Sequence, residues 1–191
     1  MCWMCDHPGS TMQEYLAEVR KTMLRHGWAV QYVEDARVPY AYTVGLTRHD
    51  VPELLVTGVP PQRAVRLLNL VGERSVREGP PAPGVQIEIR PGPLLEVVEV
   101  EHPDAHMNCA AAIFGNELRA LQLVWADRRG RWPWVPGSTM VAAASRCLVR
   151  GPYRADLRSG HVLLTAAPNA CCLCTPAGAR RHGSGGGRYP E

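Results

Sequence analysis

Trp125, Asp127, Arg131, Trp132 and Trp134 crowd into one short stretch, Arg119 to Gly137, which holds three of the chain's five tryptophans. An indole offers a large flat apolar face and one polar N–H, a combination that suits a pocket stacking a flat ligand. Arg128, Arg129 and Arg131 add guanidinium groups that grip anions in a fork and stack on rings. Tyr42, in a strand-like segment, and Glu53, at the start of another, complete the candidate ligand-binding set of Trp125, Asp127, Arg131, Trp132, Trp134, Tyr42 and Glu53. The competing reading of these residues is structural: Trp132-Pro133-Trp134 plugs the end of a core, and Asp127 with Gly130 only shapes a turn.

A second set is thiol and imidazole. Cys2-x-x-Cys5 is half of a tetrahedral zinc site and needs further ligands. His106 is the first candidate, with His26 or the Cys171, Cys172 and Cys174 cluster as alternatives. Zinc is thus the cofactor suggested, on Cys2, Cys5 and His106. His102 and His106 stand at i, i+4, the spacing that places two imidazoles on one helical face. Against these stand a terminal pair of incidental thiols and satisfied surface histidines. The Cys pair also lacks the strand-then-helix context of a thioredoxin-like motif. The chain contains no nucleophile elbow, glycine-rich phosphate loop, HExxH or paired-carboxylate signature.

The elements that must position these groups are short. Thr11-Met-Gln-Glu14 is a capping box, and apolar residues at helical spacing predict a helix over 11–26, stopped by Gly27. Residues 28–34 and 40–44 read as a strand pair, the best hairpin candidate, and 53–57 as a third strand. Pro60-Pro61 opens a second helix that ends at Gly79. Residues 85–89 and 94–100 are strands, His102-Pro103-Asp104 starts a third helix running to Gly115, and a last strand covers 119–125. The fold class expected is α+β: a mostly antiparallel sheet of about six short strands, with three helices packed on one face.

The chain has 191 residues and 46% hydrophobic content, enough for one cored domain. Residues 1–137 hold 14 Lys and Arg against 16 Asp and Glu, a net of −2; residues 138–191 hold 7 against 2, a net of +5. The faintly acidic body argues against nucleic acid as its partner. A bilayer-spanning helix needs about 20 apolar residues, and no stretch reaches that, so no membrane partner is expected. With no signal-peptide pattern at the start, a cytoplasmic protein with reduced cysteines is expected. The division expected is a single α+β domain over 1–137 and a weakly structured extension over 138–191, disordered from about 177.

Cys2-Trp-Met-Cys5-Asp6, His26-Gly27-Trp28, Ala41-Tyr-Thr-Val-Gly-Leu46, Pro52-Glu53-Leu54, Val56-Thr-Gly58, Ala120-Leu-Gln-Leu-Val-Trp-Ala-Asp127 and Gly130-Arg-Trp-Pro-Trp134 occur in order. Together they resemble the bacterial domain family of unknown function numbered 4262, over about residues 2–137. The resemblance implies a small cytoplasmic domain and transfers no catalytic residue, and the segment after Gly137 departs from it. Three functions compete: a small-molecule or peptide binding module at the Trp-, Asp- and Arg-rich corner, a metal-dependent enzyme using the cysteines or His106 with Asp127, and a regulatory subunit that docks a partner on an exposed Trp-Pro-Trp face.

Overall fold

The computed structural model describes residues 6–35, 38–127 and 129–135. Cys2, Cys5, Arg128 and the expected extension over 138–191 lie outside the described residues. Helix α1 (Met12–His26) begins where the capping box places it: Glu14 N donates to the Thr11 hydroxyl, and Thr11 N donates to the Glu14 carboxylate at 2.7 Å. Strands β1 (Ala29–Val33) and β2 (Tyr40–Val44) form the expected antiparallel hairpin, with Ala29 opposite Val44 and Val33 opposite Tyr40. Next come β3 (Glu53–Thr57), helix α2 (Pro61–Glu78), β4 (Gln86–Glu88), β5 (Leu94–Glu99), helix α3 (Asn108–Phe114) and β6 (Ala120–Trp125).

The six strands lie in the order β1-β2-β3-β6-β5-β4. Every neighbouring pair is antiparallel except β3 and β6, which run parallel with Glu53 opposite Ala120 and Leu55 opposite Gln122. A parallel neighbour needs a long crossover, and here it contains α2, the β4–β5 hairpin and α3. The α+β class with a mostly antiparallel sheet holds.

The sequence predicts all three helices on one face of the sheet; instead they cover both faces. On one side Tyr42, Val44, Leu55 and Ala120 meet Tyr15, Val19 and Met23 of α1 and Cys109 and Ala110 of α3. On the other, Ala41, Leu54, Val56, Leu121 and Leu123 meet Ala64, Leu67, Leu68 and Val71 of α2. The period of two that sends alternate side chains to opposite faces therefore buries β3 completely, all five residues. Trp28 fastens α2 down, donating its indole N–H to Asn69 Oδ1 at 3.0 Å.

The third helix also differs from expectation. Pro103–Ala105 form only a single 3-10 turn, and His106 and Met107 separate it from α3. His102 and His106 flank that turn, so they do not lie one turn apart on a helix.

Between β2 and β3 the chain turns at Gly45, whose φ of 132° is outside the range L side chains adopt. A Cβ there would sit 2.6 Å from Met23 Cγ, 2.8 Å from Trp28 Cα and 2.9 Å from the Gly27 carbonyl oxygen. Two of those atoms are backbone and cannot rotate away. Gly45→Ala is expected to lower the unfolding free energy by about 2–4 kcal/mol, from backbone strain and overpacking together; an unchanged urea midpoint contradicts this.

Candidate functional site

Glu53 and Tyr42 belong to the frame. The Glu53 carboxylate is fully buried and accepts four hydrogen bonds: from Thr43 Oγ1 at 2.6 Å, Gly45 N at 2.8 Å, Thr47 N at 3.0 Å and Thr47 Oγ1 at 2.9 Å. Its oxygens are saturated from within. Tyr42 lies under α1 and α3, where its hydroxyl accepts from Cys109 N at 3.3 Å. Burial, reinforced by the Cys109 thiol beside it, pushes that hydroxyl far above the usual phenol range. It stays protonated at any physiological pH.

Asp127 organises the turn after β6. Its Oδ1 accepts from Arg129 N at 2.8 Å and Arg131 N at 2.9 Å, while Asp127 N donates to the Arg131 carbonyl at 2.8 Å. Its Oδ2 takes Arg131 Nε at 3.1 Å, and Arg131 Nη2 lies 3.1 Å from the same oxygen without a hydrogen bond of its own. That second contact is coulombic. Trp132 and Trp134 stack on each other at 5.6 Å between ring centroids, 12° apart in plane. Replacing Asp127 by Ala strips the carboxylate from two backbone donors and one guanidinium, and a loss of about 1–3 kcal/mol is expected in chemical denaturation. Asp127→Asn, which keeps one acceptor oxygen, costs less.

Trp125 is placed differently. It ends β6 on the α2 side of the sheet, and its indole N–H donates to the Thr57 carbonyl at 3.0 Å. The ring lines a groove of about 540 Å³ with Val59, Leu67, Leu70 and Ile89. Gly58 and Pro60, from the loop into α2, and Pro91 to Pro93, from the turn between β4 and β5, close its sides. Two arginines on the first turns of α2, Arg63 and Arg66, face it as well. The groove thus opens beyond the carboxyl ends of β3 and β6. Of the sequence-derived ligand set, Trp125 alone lines it; Glu53 stands at the opposite end of β3, Tyr42 on the opposite face, and Asp127 and Arg131 tie the following turn.

The groove's other lining residues were not singled out from sequence. One signal is present: Arg63 occupies the helix end that the macrodipole makes positive, Arg66 follows one turn on, and the first turn holds no acidic residue. A cation placed against the dipole is a readable oddity.

Of the expected zinc ligands, Cys2 and Cys5 lie outside the described residues. Among the described residues no group of three or more His, Cys, Asp or Glu is placed to hold a metal ion. His106 is half-buried, and that burial holds its pKa below the ordinary imidazole value, with Asp104 pulling it up and His102 pushing it further down. Because the folded state prefers neutral His106, its stabilising share is present above the unfolded pKa and is lost as pH falls through the window beneath it. Stability is therefore expected to decline below about pH 6.5, and His106→Gln to flatten that part of a urea-midpoint profile. An unchanged slope in the variant contradicts the assignment.

Sheet, helices and groove define a small α+β domain covered on both faces. Residues 22–139 match the family model described as Domain of unknown function (DUF4262). The match spans more than half of the chain, and the protein belongs to that family, as the ordered motifs led one to expect. No curated protein and no solved structure matches the chain. Among the described residues no helix is long and apolar enough to cross a membrane.

Proposed function

We propose that this protein is a small-molecule binding module whose ligand occupies the groove between Trp125 and α2. The observation that carries this reading is the groove itself. Its volume of about 540 Å³ falls within the range of roughly 300–1,000 Å³ usual for small-ligand pockets, and an apolar lining with a few polar groups is what such pockets share. Its position supports the same reading: in sheets with parallel strands, ligands collect outside the carboxyl ends of those strands, and β3 and β6 are the parallel pair here. Trp125 meets the ligand directly. Asp127 and Arg131 hold the turn behind it, with Trp132 and Trp134 stacked beyond, while Glu53 and Tyr42 act through the frame.

Thermal unfolding against a panel of aromatic and aliphatic metabolites tests the reading. A ligand at 100 times its Kd adds about 2.7 kcal/mol of stability, a rise in Tm of roughly 5–10 °C for a domain of this size. Leu70 is 49% exposed and lines the groove, so Leu70→Trp fills the cavity without overpacking the core. It is expected to abolish the ligand shift and leave the unliganded Tm in place. A shift that survives in Leu70→Trp moves the site elsewhere.

We further propose that the binding unit is complete by Gly137, close to where the family match ends at residue 139. A chain ending at Gly137 is expected to unfold in one cooperative transition and to keep the ligand shift. Loss of cooperativity refutes the boundary.

A further inference from the structure

We infer that the ligand of this groove is an organic anion, with a flat apolar body against Trp125 and its anionic head between Arg63 and Arg66. This rests on the reading of the groove as the ligand site and specifies what it selects.

Three observations carry the inference. First, the polarity of the lining is one-sided. Among the described residues around the groove, Arg63 and Arg66 are the only charged side chains, and the rest are apolar residues, glycines and prolines. The one other polar group, the indole N–H of Trp125, is already given to the Thr57 carbonyl at 3.0 Å. The groove therefore presents donors and positive charge, and no side chain that could receive a cation or a ligand's N–H.

Second, these two guanidinium groups are left unneutralised. Both are exposed, and among the described residues neither makes a hydrogen bond or an ion pair. Their neighbours behave otherwise: Arg74 pairs with Glu78 at 2.8 Å, Arg77 with Glu78 at 3.0 Å and Arg90 with Glu88 at 2.8 Å. Acidic partners stand next to these three arginines, on the same helix and on the neighbouring turn, and not next to the two that line the groove.

Third, the pair is poised to act together. Residues three apart on a helix are surface neighbours, so Arg63 and Arg66 can close on one head group from two sides. Arg63, in the first turn of α2, also stands where the helix dipole disfavours cations, and an arriving anion relieves that repulsion. Arginine forks fit planar or tetrahedral oxyanions with two parallel hydrogen bonds. Carboxylate, sulfonate and phosphate heads all meet this requirement. The body is specified by Trp125, Ile89 and the prolines, which make a smooth wall that a ring lies against.

The test uses two fluorescent probes with the same ring systems, anilinonaphthalene sulfonate and its uncharged counterpart phenyl-naphthylamine, titrated into the full-length protein. The sulfonate is expected to bind at one saturable site, at least about tenfold tighter than the neutral probe, as charge-assisted hydrogen bonds to a guanidinium pair require. The double variant Arg63→Gln, Arg66→Gln is expected to reduce sulfonate affinity to that of the neutral probe and to leave the neutral probe's affinity unchanged. Added salt weakens the sulfonate alone. Equal affinity of the two probes for the wild-type protein, or sulfonate binding untouched in the double variant, overturns the anion assignment. If both probes then still respond to Leu70→Trp, the groove stands as a ligand site with a different preference. Binding of neither probe overturns the anion assignment and the groove reading together.

Discussion

A carboxylate taken out of water must receive hydrogen bonds in exchange, and Glu53, at 0% exposure, receives four. They come from β2 through Thr43, from the turn through Gly45 N, and from Thr47 twice. Thr43 Oγ1 in turn accepts from Leu54 N at 2.8 Å, and Glu53 N donates to the Arg119 carbonyl at 2.8 Å. One residue, through its side chain and its backbone N–H together, thus joins the end of β2, the turn, the start of β3 and the approach to β6. A one-residue slip in strand register flips every side chain to the other face. A buried charge with fixed donors excludes that slip, because the shift leaves it unpaired. The close approach at Gly45 follows: a backbone N–H can reach Glu53 from there only if nothing projects toward Met23 and Trp28.

With β3 fixed at its first residue, its last residues fix the groove. Thr57 lends its carbonyl to Trp125, so the indole is held by the neighbouring strand and its polar end is consumed inside the sheet. The loop that leaves Thr57 turns at once into α2, which puts Arg63 and Arg66 over the same spot. The parallel pairing of β3 and β6 is what brings a helix start and a strand end into one place. In an all-antiparallel arrangement the two ends would point apart.

Much of this was legible from local pattern. Strands 40–44 and 53–57 are legible because strand-forming residues sit between glycine and proline breaks, and α1 because Thr11 and Glu14 mark its start. Pro103 and Asp104 carry a helix-start signature, but the backbone leaves helical geometry at Met107, with φ −114° and ψ 57°, and the helix begins only at Asn108. Two-sided coverage was written in Leu54-Leu55-Val56 and Leu121 to Val124, runs too apolar for a strand with one wet face, yet period alone does not say which helix covers which side. Strand order is a matter of long-range pairing, and no local motif announces that the last strand inserts between β3 and β5. The groove is illegible in the sequence for the same reason: its lining comes from three separate segments, 58–70, 89–93 and Trp125, and of the conspicuous cluster of tryptophans only Trp125 reaches it. Asp127 reads equally well from sequence as a ligand and as a turn former, and its carboxylate accepts from Arg129 N, Arg131 N and Arg131 Nε within that turn.

One of the two edge strands, β4, pairs with β5 over only three residues, Gln86 to Glu88. Pro80, Pro81 and Pro83 precede it and Pro91 and Pro93 follow; proline has no N–H to offer a neighbouring strand. Glu88 and Arg90 pair across that rim at 2.8 Å. A rim this brief, charged and interrupted is a poor template for a strand from another molecule. The same brevity leaves Ile89 and the bend beyond it outside the regular ladder, so the segment that walls the groove also blunts this edge of the sheet against pairing with another copy.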